Sequence, residues 1–286
     1  MLTRDLTEHA IIAVSTSAGK DSQVTLDRVC TLAREQGVLD RVVAIHCDLG
    51  RSEWAGTKAL AQEQCDIYGV PMYVISRAKG DLLHQVEHQR KKWMGPGSAR
   101  FCTSDHKRDQ ASKVITQLVT AHNMKLWGRA TAPKGTPPVK VLLCLGLRAQ
   151  ESRERAQEPV FKRDERASSG VRQIDRWLPI HDWTTEQVWG KIRETAMPYH
   201  RAYDLGLGRL SCVFCFYAPE EALLLAGYHN RPLLHEYVAV ETRIAHQFKH
   251  KEPLIKIQAK LEQGWMPPVG VAAGSAATWM ECGGGY

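Results

Sequence analysis

The residues best suited to chemistry lie in the run 15–22, which reads Ser-Thr-Ser-Ala-Gly-Lys-Asp-Ser. An apolar stretch (10–14) precedes it, and a segment with helical apolar spacing (24–33) follows. A Gly/Ser turn between a strand and a helix points backbone N–H groups and the positive end of the helix dipole at one place, where a phosphate group binds well. The Walker pattern requires Ser or Thr after its lysine, but Lys20 is followed by Asp21. The ordered Lys-Asp-Ser ending favours a phosphate loop of another kind over an ordinary turn.

A second group of reactive residues is the Cys-x-x-Cys pair formed by Cys212 and Cys215. Such a pair binds zinc, performs dithiol chemistry or holds two corners of an iron–sulfur cluster. Zinc would require further ligands, and the sequence contains no second Cys-x-x-Cys to supply them. From the residues alone, dithiol chemistry and an iron–sulfur cluster therefore remain open, and the family resemblance described below makes the cluster the leading interpretation. Cys144 is a candidate additional ligand, although a cysteine in an apolar strand is more often a small buried hydrophobe.

The elements that must position these residues are predicted from the alternation of strands and helices. Buried strands are expected at 10–14, 41–45, 72–75 and 141–145, with helical segments between them. This alternation predicts a doubly wound, mostly parallel α/β sheet, whose ligands bind at the carboxyl ends of the strands. The stretch 151–176 is crowded with charged residues and is predicted to be a mobile active-site loop.

Bulk composition limits the class of protein. The chain has 286 residues, 43% hydrophobic and 24% charged, and a net charge of +7. The positive balance favours polyanionic partners, either nucleotides or nucleic acid. No apolar run approaches the length of a membrane span, and the first residues lack a signal peptide's apolar core. We therefore expect a cytoplasmic protein without membrane association, whose eight cysteines serve metal binding, redox chemistry or packing rather than a disulfide frame.

The order of the motifs resembles the PAPS reductase-like family of PP-loop ATP pyrophosphatases, which have the adenine nucleotide alpha hydrolase-like fold. The matching pieces are the loop 17–22, Asp48, Cys102, Gly146 with Arg148 and Glu151-Ser152, the turn 179–184, and Cys212 with Cys215. The resemblance implies that ATP and Mg²⁺ are used and that Lys20, Asp21 and Arg148 are catalytic. It implies nucleotide binding by Ser15, Ser17, Gly19, Lys20, Asp21, Ser22, Asp48, Gly146 and Arg148. It also makes Cys102 the best third ligand of a 4Fe-4S cluster.

Within this family, the ATP pyrophosphatase subunits of DNA phosphorothioation systems (Dnd or Ssp type) look most similar. Their likeness implies cleavage of ATP to AMP and pyrophosphate, adenylation of a DNA backbone, and sulfur supplied by a donor such as a cysteine desulfurase. A homodimer or hetero-complex is expected. The predicted division is a PP-loop domain over 1–218, which includes the cysteine site, and a helical C-terminal extension with a flexible tail over 219–286.

Two other functions remain open from the sequence. The first is an adenylyl-sulfate or PAPS reductase that releases sulfite, in which Cys282 is the nucleophile and thioredoxin recycles the enzyme. The tail Glu-Cys-Gly at 281–283 favours it, but the following Gly284 departs from the family pattern, and Cys102 is followed by Thr103 rather than a second cysteine. The second is a non-catalytic nucleic-acid-binding subunit, which the intact Lys-Asp-Ser ending disfavours.

Overall fold

The computed structural model describes residues 4–95 and 100–268, which divide into two compact units. No helix in these ranges is long and apolar enough to cross a membrane. The strands are β1 Ile11–Thr16, β2 Val42–Asp48, β3 Met72–Ser76, β4 Val139–Cys144, β5 Phe161–Arg163 and β6 Arg172–Trp177. The helices are α1 Lys20–Glu35, α2 Thr57–Tyr68, α3 Leu82–His84, α4 Phe101–Thr103, α5 Asp109–Trp127, α6 Arg153–Ala156, α7 Thr185–Thr195, α8 Glu220–His229, α9 Arg231–Arg243 and α10 Leu254–Glu262.

The six strands form one sheet in the order β3-β2-β1-β4-β6-β5. β1 pairs in parallel with both β2 and β4, and β4 pairs in parallel with β6, whereas the edge strand β5 is antiparallel to β6. The predicted mostly parallel α/β sheet is therefore confirmed. The strand order reverses between β1 and β4, and this switch point is where such sheets bind ligands.

The described residues of the first unit are 4–47, 58–75 and 108–199, and its sheet is covered on both faces. One face packs against apolar side chains of α1 and α2, such as Leu26 and Val29. The other face packs against α5 through Val114, Ile115 and Val119. Because both faces are buried, the central strands are almost wholly apolar, as parallel strands must be. This packing fixes the ends of β1 and β4, and with them the loops that follow.

The prediction of a mobile loop over 151–176 is wrong. This stretch contains the short helix α6 and the β5–β6 hairpin, and β6 is a full member of the parallel sheet. Ile174 and Trp177 are buried in the two core layers. Some of its charged side chains form ion pairs within the stretch: Glu158 pairs with both Lys162 and Arg176. The sparse apolar positions of β6 suffice because β4 and β5 supply its backbone partners.

The described residues of the second unit are 48–57, 76–95, 100–107 and 200–268, and helices α8, α9 and α10 belong to it. Its core is aromatic: Trp93 stacks on Tyr237 with ring centroids 5.4 Å apart, and Phe214 and Phe248 also pack against Tyr237. Two π-helical segments follow α3 and α4, at Gln85–Arg90 and Ser104–Arg108. The tail that carries Cys282 lies outside the described residues.

Candidate nucleotide and thiol sites

The predicted phosphate loop connects β1 to the first turn of α1, at the carboxyl end of the sheet and at its switch point. Its backbone is tied by the Ser22 hydroxyl, which donates to the Gly19 carbonyl at 2.9 Å and accepts the Ser17 N–H at 3.2 Å. Gly19 is the N-cap of α1 and no side chain caps this end. The first turn of α1 thus begins without a side-chain cap, and a helix N-terminus of this kind favours a bound anion.

Ala18, within this loop, adopts the left-handed backbone conformation with φ of 55°. A non-glycine residue pays about 1–2 kcal/mol for this conformation, and the structure nevertheless retains it. Ala18 is fully buried. The surrounding packing thus imposes the loop shape despite the strain at Ala18.

A buried ion triad lies directly after the loop. Lys20 Nζ is 3.2 Å from Asp21 Oδ2, and Arg148 Nε donates to Asp21 Oδ1 at 2.6 Å. Lys20 is 1% exposed and Arg148 is 0% exposed. Burial by itself raises the pKa of Asp21, but the charges of Lys20 and Arg148 outweigh it and hold that pKa below its usual value. The triad therefore carries one net positive charge in a site shielded from water.

Arg148 follows β4 and binds protein groups on several sides. Besides Asp21, its Nη1 donates to Gln150 Oε1 at 3.0 Å and to the Trp183 carbonyl at 3.2 Å. Gln150 Oε1 also accepts the Thr185 N–H at 2.8 Å, in the first turn of α7. These contacts fix the guanidinium of Arg148. Arg148 in turn positions the carboxylate of Asp21, and Asp21 positions the ammonium of Lys20. Its predicted role as a direct phosphate ligand stays a prediction.

Gly146 has a steric role at the same place. A Cβ added there would lie 2.8 Å from the Asp21 carbonyl oxygen and 2.9 Å from Thr25 Oγ1. Only glycine allows the β4 loop to approach the first turn of α1 this closely. Ser15 lies within β1, before the loop. Asp48 is the last residue of β2, and its Oδ1 accepts the Gly50 N–H at 2.8 Å.

The predicted cysteine site is built in the second unit, where Cys102, Cys212 and Cys215 act electrostatically on one another. Burial raises the pKa of Cys212 to about 12 and also raises that of Cys102. All three are free thiols. Three neighbouring thiols are a donor set that iron–sulfur clusters use. In the described ranges, however, no group of three or more His, Cys, Asp or Glu side chains is placed to hold a metal ion.

Cys144, the candidate fourth ligand, belongs to a different environment. It is fully buried in β4 and packs in the same core layer as Cys30 and Cys65, all in the first unit. Burial raises its pKa well above the usual range, and Cys30 adds to that effect. The structure thus groups Cys144 with two other core cysteines and gives it the role of a small hydrophobe.

Lys107 is a residue of the thiol site that the sequence reasoning missed. Burial raises the pKa of Cys102 and of Cys212, and the positive charge of Lys107 counteracts part of that rise. Residues five apart lie about 140° apart around an α-helix, so Cys102 and Lys107 would face different directions in a regular helix. The π-helical turn Ser104–Arg108 alters that spacing, and π-turns recur at functional sites. A π-turn gives no periodicity of its own in the sequence, so helix and strand patterns do not reveal it.

His106 holds this π-turn against the other one and provides a pH prediction. Its Nε2 donates to Gln85 Oε1 at 2.7 Å, and burial, followed by the charge of Arg77, lowers its pKa to about 4. Between pH 6.5 and 4 the unfolded chain binds a proton here that the folded chain does not. The contribution of His106 to the free energy of unfolding is therefore complete above pH 6.5. It is expected to fall by about 2–3 kcal/mol on acidification to pH 4.5.

Urea unfolding at pH 7.0 and 4.5 measures this loss. His106→Gln retains a donor and cannot become charged, so its acid loss is expected to be smaller by about 2 kcal/mol. His88→Gln, at an exposed histidine of the same unit, is the matched control. Equal acid losses in the wild type and in His106→Gln would contradict the assignment.

The fold places a Gly/Ser loop and a helix N-terminus at the switch point of a parallel sheet, the arrangement with which one class of α/β proteins binds nucleotides. The sequence model of the phosphoadenosine phosphosulfate reductase domain matches residues 11–218. The chain therefore belongs to the phosphoadenosine phosphosulfate reductase domain family, which confirms the family expected from the motifs.

Individual relatives are more distant. The chain is 26% identical over 126 residues to an uncharacterized 37.8 kDa protein of Escherichia phage 186, covering 44% of this chain and 32% of the relative. It is 34% identical over 70 residues to the adenosine 5′-phosphosulfate reductase of Allochromatium vinosum, covering 24% of this chain and 25% of that enzyme. The matched segments thus span about a third and a quarter of these curated relatives.

Solved structures show similarity at low sequence identity. The phosphoadenylyl-sulfate reductase of Candida auris, in a phosphate complex, gives a TM-score of 0.43 at 18% identity, covering 70% of this chain and 80% of that one. The U34-tRNA thiolase NcsA of Methanococcus maripaludis, with its [4Fe-4S] cluster, gives 0.41 at 14% identity, covering 96% and 82%.

Proposed function

We propose that this protein is an ATP pyrophosphatase that cleaves ATP between its α and β phosphates and adenylates an acceptor for sulfur incorporation. The observation that carries the proposal is the buried Lys20–Asp21–Arg148 triad beside an uncapped helix N-terminus at the sheet's switch point. Both features favour the negative charge of a polyphosphate. A DNA backbone is the proposed acceptor, in keeping with the resemblance to phosphorothioation systems and with the net charge of +7.

The chemistry assigned to the loop is charge stabilisation. An acceptor oxygen attacks the α-phosphorus, the bond to the bridging α–β oxygen breaks, and pyrophosphate leaves with that electron pair. The N–H groups at the start of α1 and the ammonium of Lys20 would stabilise the charge that develops on the phosphates. Mg²⁺ is proposed to arrive on the phosphates of ATP. A sulfur nucleophile then displaces AMP from the activated acceptor, so sulfur replaces oxygen without a net redox change at phosphorus.

The sulfur half of the reaction is proposed to use the thiol site. Cys102, Cys212 and Cys215 would hold an iron–sulfur cluster, and three ligands would leave one iron open to sulfide. The family membership and the thiol donor set support this assignment. Among the described side chains, these thiols are not arranged to hold a metal ion. Binding a cluster would therefore require them to move closer together.

The cluster proposal predicts a clear difference between two cysteine variants. Anaerobically purified Cys212→Ser is expected to lose most of its iron, acid-labile sulfide and visible absorbance, because it removes a thiolate ligand. Cys144→Ser, at the buried core cysteine, is the matched control and is expected to keep the wild-type iron content per folded molecule. Equal iron content in Cys212→Ser and wild type would contradict the proposed ligand set.

A second candidate is reduction of adenylyl sulfate or PAPS to sulfite with thioredoxin as reductant. The family itself and the 34% identity to an adenosine 5′-phosphosulfate reductase over 70 residues favour it. In that reaction a cysteine thiolate, proposed as Cys282, attacks the sulfur and the nucleotide leaves. A dithiol then releases sulfite and is oxidised to a disulfide.

One incubation distinguishes the two functions. Protein purified anaerobically is incubated with ATP and Mg²⁺, and products are scored as AMP with pyrophosphate or ADP with phosphate. AMP with pyrophosphate supports the adenylating function. A parallel incubation with adenylyl sulfate and reduced thioredoxin is scored for sulfite. Sulfite release without ATP cleavage, abolished in Cys282→Ser, would overturn the adenylating function in favour of the reductase.

A further inference from the structure

A cavity of about 300 Å³ lies in the first unit at the amino end of the sheet. Its walls include Ala10, just before β1, and Val139, the first residue of β4. The phosphate loop follows the opposite end of β1, so six residues of strand, about 20 Å, separate the two places. The cavity is therefore distinct from the site described above. Its volume is at the lower end of the range for ligand pockets, which suits one nucleobase better than a large ligand.

The surface around this cavity is positively charged. No Asp or Glu occurs from residue 110 to residue 150. Exposed cations in or beside the lining are Lys125, Arg129, Lys134 and Lys140. The nearest acidic lining residue, Glu8, lies 3.6 Å from Lys140, and such an exposed pair is weak. A phosphate chain would be attracted to this surface, whereas a second copy of the same surface would be repelled.

An exposed aromatic side chain forms one wall. Trp127, at the end of α5, is 46% exposed and lines the cavity beside Leu126 and Pro137. The other tryptophans within residues 4–95 and 100–268 are buried or half-buried. An exposed indole among lysines is the pattern of single-stranded nucleic-acid sites, where bases stack on aromatic rings and cations bind the backbone.

A buried acceptor completes the lining. Asn123 is 3% exposed, and its Nδ2 donates to the Ala130 carbonyl at 3.2 Å. This bond fixes the orientation of the amide, and the buried Oδ1 has no hydrogen-bond partner. An unpaired buried acceptor is costly, and a ligand N–H would remove that cost. The exocyclic amine of cytosine or adenine supplies such a donor, whereas thymine has no amine and offers only a ring N3–H flanked by two carbonyl oxygens, which a further acceptor oxygen disfavours.

We propose that this cavity, lined by Trp127, Asn123 and Lys140, binds one amine-bearing base of a single-stranded nucleic acid. The proposal deepens the proposed function, on which it rests for a nucleic-acid acceptor: it assigns that acceptor a recognition site at the sheet edge opposite the phosphate loop. The base stacks on Trp127, its amine donates to Asn123 Oδ1, and Lys140 faces its phosphate.

Fluorescence anisotropy with labelled twelve-nucleotide oligo(dC) and oligo(dT), using the full-length protein, tests this proposal. Wild-type protein is expected to bind oligo(dC) about fivefold more tightly than oligo(dT), because only cytosine provides the amine. Trp127→Ala is expected to weaken binding of both about tenfold through loss of stacking. Asn123→Ala is expected to abolish the preference. Met124→Ala is the matched control, since Met124 is equally exposed on the same turn but does not line the cavity.

The proposal would be overturned if the wild type bound oligo(dC) and oligo(dT) equally, or if Trp127→Ala and Met124→Ala bound them equally well. Absence of binding to either oligonucleotide would do so as well. Circular dichroism checks that Asn123→Ala is folded, and the wild-type ratio and Trp127→Ala keep the test valid if it is not. AMP formation without nucleic acid is expected to be unchanged in Trp127→Ala. Failure of the adenylating function would therefore appear in that assay and not in the anisotropy.

Discussion

Replacing Lys20 by Met is expected to lower kcat/KM for AMP and pyrophosphate formation about 10²–10³-fold. The ammonium of Lys20 is held 3.2 Å from Asp21 at 1% exposure, and a charge in such a water-excluded place stabilises developing phosphate charge far more than one in water. Radiolabelled ATP with separation of AMP, ADP and pyrophosphate measures the effect. The side chain of Met has a similar length, so the loss reports the charge rather than a cavity.

The matched control is Lys113→Met, which removes an exposed lysine of the first unit that bonds to Gln110. It is expected to retain wild-type kcat/KM. If Lys20→Met cleaved ATP as well as the wild type, the loop could not be the catalytic phosphate site. Full biological function of Lys20→Met would instead favour the non-catalytic nucleic-acid-binding subunit.

Replacing Asp21 by Asn is expected to lower the free energy of unfolding by about 3–5 kcal/mol. The substitution removes the only carboxylate of the triad and leaves Lys20 and Arg148 as buried cations without their shared partner. Chemical unfolding by urea, followed by circular dichroism, measures the change. A loss below about 1 kcal/mol would show that the triad contributes little to folding.

The double variant Asp21→Asn with Arg148→Met distinguishes a charge effect from a packing effect. Because Arg148→Met removes the buried cation that pairs with Asp21, the double variant is expected to be less destabilised than the sum of the single variants. The triad also predicts an acid dependence. The pKa of Asp21 is lowered in the folded state, so its contribution is present above about pH 4 and is lost as the pH falls through the lowered value. If the losses of unfolding free energy of the two single variants simply added in the double variant, direct coupling between Asp21 and Arg148 would be contradicted.

Local sequence determined most of the nucleotide site. Apolar runs and Gly/Ser turns predicted the strands that became β1 to β4, because parallel strands buried on both faces must be apolar. The loop 15–22 was found from residue type and order, since phosphate binding at a helix N-terminus depends on short-range backbone geometry, whereas Gly146 came from the family resemblance. Thr184 and Gln187 form a capping box at the start of α7, which is another short-range pattern.

Only the tertiary structure decided which distant groups meet. Cys144 and Cys102 are both plausible ligands by type, yet Cys144 packs beside Cys30 in the sheet's core while Cys102 neighbours the Cys212 pair. The charged stretch 151–176 looked like a loop because the partners of β6 lie elsewhere in the chain. The contact of Arg148 with Asp21 joins residues far apart in sequence. Burial and pairing between distant segments depend on how the sheet assembles, and no local pattern encodes them.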